Sequence, residues 1–337
     1  MYYLRISNLL FGAQYMNSRK FLIPDGIEYY TGNEALLFER LKSSVLRIFK
    51  KYNYPIVVTP IIDSLNNLTN LNGDNLKNFT TRLSHTRDLG IRADITPQVV
   101  RLDYQSYEKK KSNKYSYMGD IYRETSSPFD RNNPFQVGAE FFGGVDDGAD
   151  IKLIKMCYEI ISLSRTKKIV IDLNDSFFIN NFLKTLKLSP KSKDDLSSLI
   201  NMKSLKEIKD LLNQKKVSKK KINEIFDLIS LDGSSSVINR IKNYCKVYSY
   251  KADKNIKSLD NISRKLKNLK GVTINIDLCS KNSMDYESGF NFSFYVDNLR
   301  KSIAVGGRYD SYKCNDNTIR AATGFSIDLK DVVSIYE

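Results

Sequence analysis

Two stretches near the end of the sequence, residues 272–278 and 290–296, alternate apolar and polar residues, and a turn with Gly289 precedes the second. Alternation with a period of two is the pattern of a strand that buries one face. Two aromatic-rich strand candidates, residues 115–123 and 135–142, are joined by a polar loop and predict a hairpin. The chain is therefore expected to form a predominantly antiparallel sheet. Further strands are predicted at residues 168–173, 302–305 and 322–329.

Helices are predicted beside this sheet. Apolar residues at helical spacing indicate a helix over residues 33–52, and Thr31 with Glu34 offers a capping box at its start. Thr96 followed by Pro97 predicts a second helix, because threonine can cap exposed amides and proline fits the first turn. Helices packed on a mainly antiparallel sheet correspond to the α+β fold class.

Residues 176–270 are Lys-rich, with Leu and Ile at helical spacing, and predict a helical insert. We therefore expect a core formed by residues 1–175 and 271–337, with residues 176–270 as a separate helical part. The 53 Lys and Arg against 38 Asp and Glu give a net charge of +15, which suits nucleic acid, an anionic membrane surface, a phosphorylated substrate or an acidic partner. Compositional drift toward Lys, Asn, Ile and Tyr accounts for the same charge and is the preferred interpretation.

Several common kinds of site are not expected. The four cysteines lie far apart and the chain has one histidine, His85, so neither a zinc site nor a catalytic triad is indicated. No GxxxxGK[ST] or GxGxxG motif occurs. The acidic loop 143–150 lacks the spacing of a calcium loop and is expected to be a connection in which Asp150 caps a helix over residues 150–164. No apolar stretch is long enough to span a bilayer, which favours a reduced, cytoplasmic protein.

Three groups of polar residues are candidates for binding. In extended chain Arg92, Asp94 and Thr96 share one face before a helix start, an arrangement that suits a small zwitterion. The alternative is an Arg92–Asp94 surface ion pair with Thr96 as a helix cap. Gln136 and Glu140 share a strand face on either side of a glycine, across which a ligand could lie. Here the alternative is an exposed polar face with a glycine bulge.

The third group is the run Gly306-Gly307-Arg308-Tyr309-Asp310. Two glycines at a predicted strand end allow a ligand to approach the backbone closely, and the guanidinium of Arg308 suits a carboxylate or phosphate. A turn that contains an ion pair is the alternative interpretation.

The order of these motifs resembles the histidyl-tRNA synthetase core, and more closely its paralogue family, the regulatory subunits of ATP phosphoribosyltransferase. The residues that carry the resemblance are Leu22-Ile23-Pro24-Asp25-Gly26, Arg92-Ala93-Asp94-Ile95-Thr96-Pro97-Gln98, Gln136-Val137-Gly138-Ala139-Glu140, Gly306-Gly307-Arg308-Tyr309-Asp310 and Ala322-Thr323-Gly324-Phe325-Ser326-Ile327-Asp328-Leu329. The resemblance is strong up to about Leu173 and from about Ile274. It implies a class II aminoacyl-tRNA synthetase-like core.

Departures from an aminoacylating enzyme favour the regulatory paralogue. Beside the retained Arg123, the family's acidic residue is replaced by Thr125, and Asn282 stands where an arginine precedes the loop 285–287. The third-motif arginine is replaced by Asp331. Adenylation needs cations where charge develops on the phosphates, so this chemistry is not expected. The sequence ends at Glu337, so an anticodon-binding domain is not expected either.

The resemblance also implies a retained histidine pocket without catalytic residues, metal or cofactor. Its expected residues are Asp94, Thr96, Arg123, Gln136, Glu140, Tyr286, Arg308 and Tyr309. The implied partner is a short-form ATP phosphoribosyltransferase catalytic subunit, bound by a homodimer of this chain within a hetero-oligomer, with histidine as effector. Nucleic acid is not an expected partner. The alternatives are a divergent histidyl-tRNA synthetase and an RNA-binding paralogue that would use the Lys-rich residues 183–270.

Overall fold

The computed structural model describes residues 22–69, 75–83, 88–124, 130–280, 287–314 and 316–336. The first part of the chain contains, in order, α1 (Gly32–Tyr52), β1 (Ile56–Val57), β2 (Ile62–Ser64), α2 (Leu65–Thr69), α3 (Asn75–Phe79), β3 (Thr81–Arg82), β4 (Leu89–Ile91), α4 (Thr96–Gln105), β5 (Asn113–Asp120), β6 (Phe135–Phe142), α5 (Asp147–Ser162) and β7 (Ile169–Asp175). The helical segment, residues 176–270, contains α6 (Phe177–Thr185), α7 (Pro190–Asn201), α8 (Leu205–Gln214), α9 (Lys219–Ile229), β8 (Asp232–Gly233), α10 (Val237–Tyr248) and α11 (Asp253–Leu266). The last part contains β9 (Val272–Asp277), β10 (Glu287–Val296), β11 (Ala304–Lys313), β12 (Ile319–Asp328) and α12 (Leu329–Ser334).

Within the described residues, one sheet of nine strands has the order β1-β5-β6-β12-β11-β10-β7-β9-β8. β1 pairs with β5 and β7 pairs with β9 in parallel, whereas the other neighbours are antiparallel. The hairpin predicted from the aromatic strands is present as β5 and β6. The prediction of a mainly antiparallel α+β fold is therefore confirmed. A smaller sheet has the order β2-β4-β3.

The sheet is covered on both faces because alternate residues of its central strands are apolar on each side. On one face α1, α5, α12 and the helical segment share a large core that includes Val137, Ala139, Phe325 and Ile327. On the other face a smaller core around α4 includes Val99, together with Ile95, Tyr117, Phe142, Tyr309 and Ala322. The candidate polar residues of β6 lie on this second face.

The predicted caps of α1 and α5 are wrong. Thr31 is the residue before α1, but its side chain makes no capping hydrogen bond. The helix start needs no capping box, because buried residues on one side of α1 pack on the core. α5 is capped by Asp146, whose side chain accepts from the backbone N–H of Ala149. Asp150 lies inside that helix and is fully buried.

The helical segment has apolar residues inside and lysines outside. Its buried residues include Leu196, Ile208, Ile225 and Leu259, which belong to the same core as the sheet. The helical pattern expected from the sequence is therefore present, and the division of the chain into separate parts stays a prediction. In the part of the chain that the structure describes, no helix is long and apolar enough to cross a membrane.

Candidate functional site

Glu140 lies at the centre of a buried network on the α4 face of the sheet. Its Oε1 accepts from the hydroxyl of Thr96 at 3.2 Å and from that of Tyr117 at 3.3 Å. Its Oε2 accepts from the hydroxyl of Tyr309 at 2.9 Å. These groups come from α4, β5, β6 and β11, so the carboxyl group of Glu140 is the point at which four elements meet.

Asp94 extends the network at the start of α4. Its Oδ1 accepts from the backbone N–H of Thr96 at 3.0 Å and from the side-chain amide of Gln136 at 2.8 Å. Its Oδ2 is buried and has no hydrogen-bond partner within the described residues. The nearest cation is the guanidinium of Arg123, whose Nη2 is 4.0 Å from that oxygen. Asp94 therefore has an acceptor atom available for a ligand.

Burial controls the protonation of Glu140. The pKa of Glu140 is raised to about 8, mainly because the carboxyl group is removed from water; the hydrogen bond from Tyr309 opposes this shift and the nearby charge of Asp94 adds to it. At neutral pH the carboxyl group is mostly protonated. A ligand ammonium would favour its ionised form, because opposite charges attract strongly away from water. The pair of carboxyl groups is suited to hold a cation.

The unliganded protein should lose stability as the pH rises through this titration. Because the folded-state pKa of Glu140, about 8, lies above its ordinary 4.5, the associated stability is present below pH 4.5 and is lost as the pH rises toward 8. Urea denaturation across this range should show a steeper fall for the native chain than for Glu140→Gln. Identical pH profiles for the two proteins would contradict this protonation state.

Neighbouring groups occupy the space next to the two glycines near Glu140, Gly138 and Gly324. A Cβ atom on Gly138 would overlap the phenol ring of Tyr117 and the carbonyl of Phe325. A Cβ atom on Gly324 would overlap the carboxyl group of Glu140. The expectation that a ligand lies across Gly138 is therefore wrong, because the phenol of Tyr117 already occupies that space. The alternative interpretation, an exposed polar face with a glycine bulge, is not found either. The residues of β6 are almost all buried, and the strand is paired continuously with β5 and β12.

Arg308 is not brought to this network. Consecutive strand residues point to opposite faces, so Tyr309 faces Glu140 while Arg308 faces α5. Its Nε donates to Asp150 at 2.8 Å and its Nη2 to Asp147 at 2.9 Å. The two preceding glycines lie inside β11 and not at a strand end or in a turn.

Arg92 is also directed elsewhere. Its guanidinium donates to the side chain of Thr59 at 2.8 Å and to the carbonyl of Asp120 at 2.8 Å. The interpretation in which it pairs with Asp94 is wrong, and so is the cap at Thr96, whose side chain binds Glu140 and Tyr117. The chain leaves β4 after residue 91, so the strict alternation assumed for residues 92–96 does not apply.

Several predicted positions lie outside the described residues. These are His85, Thr125, Asn282, Asp285, Tyr286 and the first 21 residues of the sequence. Tyr117, which completes the hydroxyl groups around Glu140, was not among the residues predicted from the sequence. The pairing of Tyr117 with Gly138 across the predicted hairpin was the signal that could have identified it.

Asp331 lies in a second buried charge cluster, at α12. Its carboxylate is 3.1 Å from Arg131 and 3.0 Å from Lys301. Arg131 also contacts Asp328 at 2.6 Å and Glu28 at 3.0 Å. Burial raises the pKa of Asp331 to about 6. The carboxylate of Asp331 is therefore paired with two cationic side chains of the same chain, Arg131 and Lys301.

Comparison with known proteins gives concordant matches. The family model described as histidyl-tRNA synthetase matches residues 26–332. The ATP phosphoribosyltransferase regulatory subunit of Polynucleobacter asymbioticus is 30% identical over 317 residues, covering 92% of this chain and 81% of that protein. A structure from Bacillus halodurans, described as an ATP phosphoribosyltransferase regulatory subunit/histidyl-tRNA synthetase, has a TM-score of 0.79 and 17% identity over 94% of this chain and 84% of that one. A chain of the ATP phosphoribosyl transferase (HisG:HisZ) complex from Thermotoga maritima has a TM-score of 0.64 and 19% identity, covering 89% and 98%.

Proposed function

This chain belongs to the histidyl-tRNA synthetase family and, within it, to the regulatory subunits of ATP phosphoribosyltransferase, and from that membership we propose its role. It is a non-catalytic subunit that a short catalytic subunit needs for activity and for histidine feedback in the first step of histidine biosynthesis. The observation that carries the proposal is the 30% identity with a regulatory subunit over 92% of this chain. Assembly with a catalytic partner is supported by the structural match to a chain of the HisG:HisZ complex. The proposed location is the cytoplasm.

The charge cluster at α12 supports a role without adenylation. An aminoacylating relative is expected to place an arginine where Asp331 stands, so that a cation meets the nucleotide. Here the carboxylate of Asp331 is buried and paired with Arg131 and Lys301. Reversal of charge removes a group that would stabilise the phosphates.

The network around Glu140 supports histidine as the effector. Asp94 and Glu140 offer carboxyl groups for the ligand ammonium, and Asp94 has an acceptor atom available. Thr96, Gln136 and Tyr309 hold these two carboxyl groups in place. Arg123, beside Asp94, is partly exposed and suits the ligand carboxylate. The contribution of Tyr286 stays a prediction.

An exposed apolar stretch supports the homodimer. From β1 to the first residue of β2, four apolar residues are each more than 40% exposed: Ile56, Val58 at 90%, Ile61 and Ile62. β1, which contains Ile56, is an edge strand of the large sheet. Apolar side chains beside an unpaired strand edge favour association with another protein surface, and a second copy of this chain is the proposed occupant.

A polar junction offers a route by which the occupied pocket could influence the helical segment. Tyr309 donates a hydrogen bond to Glu140, and the residue before it in β11, Arg308, pairs with Asp147. Asp147 also accepts hydrogen bonds from Ser258 and Asn261 of α11. Feedback requires that histidine bind the less active state more tightly, by a difference of about 1–3 kcal/mol.

The purified chain should catalyse no histidine-dependent exchange of pyrophosphate into ATP. The reason is the reversed charge at Asp331, in a protein whose fold is otherwise that of a synthetase. A bacterial histidyl-tRNA synthetase assayed in parallel provides the positive control. Exchange above background by a folded sample would contradict the proposal and favour a divergent synthetase.

A further inference from the structure

One side of α11 carries polar side chains that bind the core. Asn255, Ser258 and Asn261 are spaced three residues apart, which keeps them on one side of the helix. The amide of Asn255 donates to Asp175 at 2.7 Å. Ser258 and Asn261 both donate to Asp147, Asn261 at 2.9 Å. Hydrogen bonds weaken steeply when their geometry changes, whereas apolar contacts are not directional. The position of α11 is therefore sensitive to the positions of these carboxylates.

Asp147 joins α11 to β11. Its Oδ1 atom accepts from the hydroxyl of Ser258 and also from Nη2 of Arg308, the second bond being 2.9 Å long. Arg308 is fixed further by the fully buried Asp150, which accepts from its Nε at 2.8 Å. Partly buried charge pairs are screened much less than exposed pairs. A shift of Arg308 therefore changes the contact that Asp147 makes with α11.

The short stretch of β11 that contains Arg308 lies between two interruptions of the sheet ladder. The register between β10 and β11 shifts between residues 307 and 309, on either side of Arg308. The register between β11 and β12 shifts between Asp310 and Tyr312. A bulge or other shift of register disrupts the ladder locally and is often found where a side chain must be re-aimed. Residues 308–310 are therefore restrained less by the ladder than a regular strand, and more by their side-chain contacts.

The interruption in β10 is tied to the start of the helical segment. The carbonyl of Gly289 accepts from the backbone N–H of Ser176 at 3.0 Å and from its hydroxyl at 3.2 Å. Ser176 is the first residue of the segment and directly precedes α6. A Cβ atom added to Gly289 would lie 3.9 Å from the Cβ atom of Arg308, so these two residues are neighbours across the strands. Arg308 is therefore close to contacts with both ends of the helical segment.

Tyr309 connects the same stretch to the pocket. Its hydroxyl donates to Oε2 of Glu140 at 2.9 Å, and Tyr309 directly follows Arg308 in β11. Hydrogen bonds to an ionised group are shorter and about twice as strong as those between neutral groups. A ligand ammonium favours the ionised form of Glu140, so it strengthens the bond from Tyr309. Occupancy of the pocket thus supplies the differential interaction energy that a conformational response requires.

We propose that Arg308 and Asp147 couple the pocket to the helical segment, so that histidine binding tightens the bond between Tyr309 and Glu140, shifts residues 308–310 and strengthens the attachment of α11. The inference rests on the proposed function, because histidine is the ligand, and it deepens that function by naming the part of the chain that responds. Arg308 and Asp147 are positioning residues here, since they act through Tyr309 and α11.

The test is hydrogen–deuterium exchange of the full chain, with and without saturating histidine, measured by mass spectrometry. In the native chain, histidine should slow exchange of the amides of residues 253–266 at least about threefold. Asp147→Asn keeps the size of the side chain but removes the charge that joins Arg308 to α11. Its histidine affinity, measured by calorimetry, should stay within about twofold of the native value, while the slowing at α11 is lost. Ser258→Ala combined with Asn261→Ala breaks the same contact from α11 and should give the same result.

Asp146→Asn is the matched control, because it makes the same chemical change at the preceding residue. Asp146 is exposed and caps α5 by accepting from the backbone N–H of Ala149. Asparagine caps helices about as well as aspartate, so α5 should be preserved. The response of α11 to histidine in this variant should match that of the native chain.

Each outcome decides the proposal. Slowing in the native and control chains, with loss in both junction variants, supports it. Slowing that persists in Asp147→Asn, equal loss in Asp146→Asn, or no slowing in a native chain that binds histidine would overturn this inference alone. Loss of histidine binding in Asp147→Asn would also overturn it, because Asp147 would then support the pocket itself. A native chain that binds no histidine would overturn the proposed effector together with this inference.

Discussion

Replacing Glu140 with glutamine should weaken histidine binding about 100-fold, a loss of about 2.7 kcal/mol, because removing one partner of a buried charge pair costs about 2–5 kcal/mol. Glutamine keeps the size of the side chain, which lies against Gly324. The hydroxyl groups of Thr96 and Tyr117 can accept as well as donate hydrogen bonds, so they can adapt to the amide. Calorimetric titration with histidine measures the loss directly. Inhibition of phosphoribosyl-ATP formation should weaken in parallel, with activation preserved.

The control is Glu159→Gln, which changes a partly exposed glutamate on α5 that binds Lys51 and Tyr52. Its histidine affinity should match that of the native chain.

The pH dependence of histidine binding provides a second criterion. Since the empty site holds Glu140 with a pKa of about 8, binding below that pH must release its proton, and affinity should rise with pH relative to the glutamine variant. Unchanged affinity and inhibition in Glu140→Gln would remove this residue from the site.

Replacing Arg131 with methionine should lower the free energy of unfolding by about 3 kcal/mol at pH 8, because removing one member of a buried ion pair costs about 3–5 kcal/mol. Arg131 is 11% exposed and contacts both Asp328 and Asp331. Methionine preserves the apolar length of the side chain but leaves both carboxylates without this cation. Urea denaturation of the isolated chain measures the effect.

The loss should shrink as the pH falls. Burial already raises the pKa of Asp331 to about 6, and removing Arg131, which lowers that pKa, must raise it further. Below that pKa the carboxyl group is neutral and no longer needs the cation. Arg82→Met is the control, because its pair with Asp88 is exposed and worth about 0–1 kcal/mol. Equal, small losses in both variants would contradict the structural importance of the Arg131 cluster.

Local patterns in the sequence were sufficient to predict the main strands and the hairpin of the fold. Alternation predicted β9 and β10 as strands; β10 is antiparallel to both of its neighbours, whereas β9 runs parallel to β7. The β5–β6 hairpin follows from two aromatic strands near each other in sequence. The resemblance placed Asp94, Thr96 and Glu140 in one site, and the structure brings these three together. Their grouping depends on pairing between neighbouring elements, which the order of motifs preserves.

The wrong predictions for Arg308 and Arg92 concern side chains whose bonding partners are distant in sequence. Arg308 pairs with Asp150, 158 residues earlier, and no local pattern indicates that partner. The strand was expected to end near residue 305, but β11 continues to Lys313, which places Arg308 on the α5 face. Arg92 was misassigned because its partners, including Thr59, are backbone and hydroxyl groups from other segments. Such contacts depend on the register of the whole sheet.

The regulatory role is tested most directly by measuring phosphoribosyl-ATP formation by a short catalytic subunit from the same organism, with and without this chain and with added histidine. The account predicts little activity for the catalytic subunit alone, strong activation by this chain, and inhibition of the activated complex by histidine. A catalytic subunit of proven competence that shows the same rate with and without this chain would contradict it.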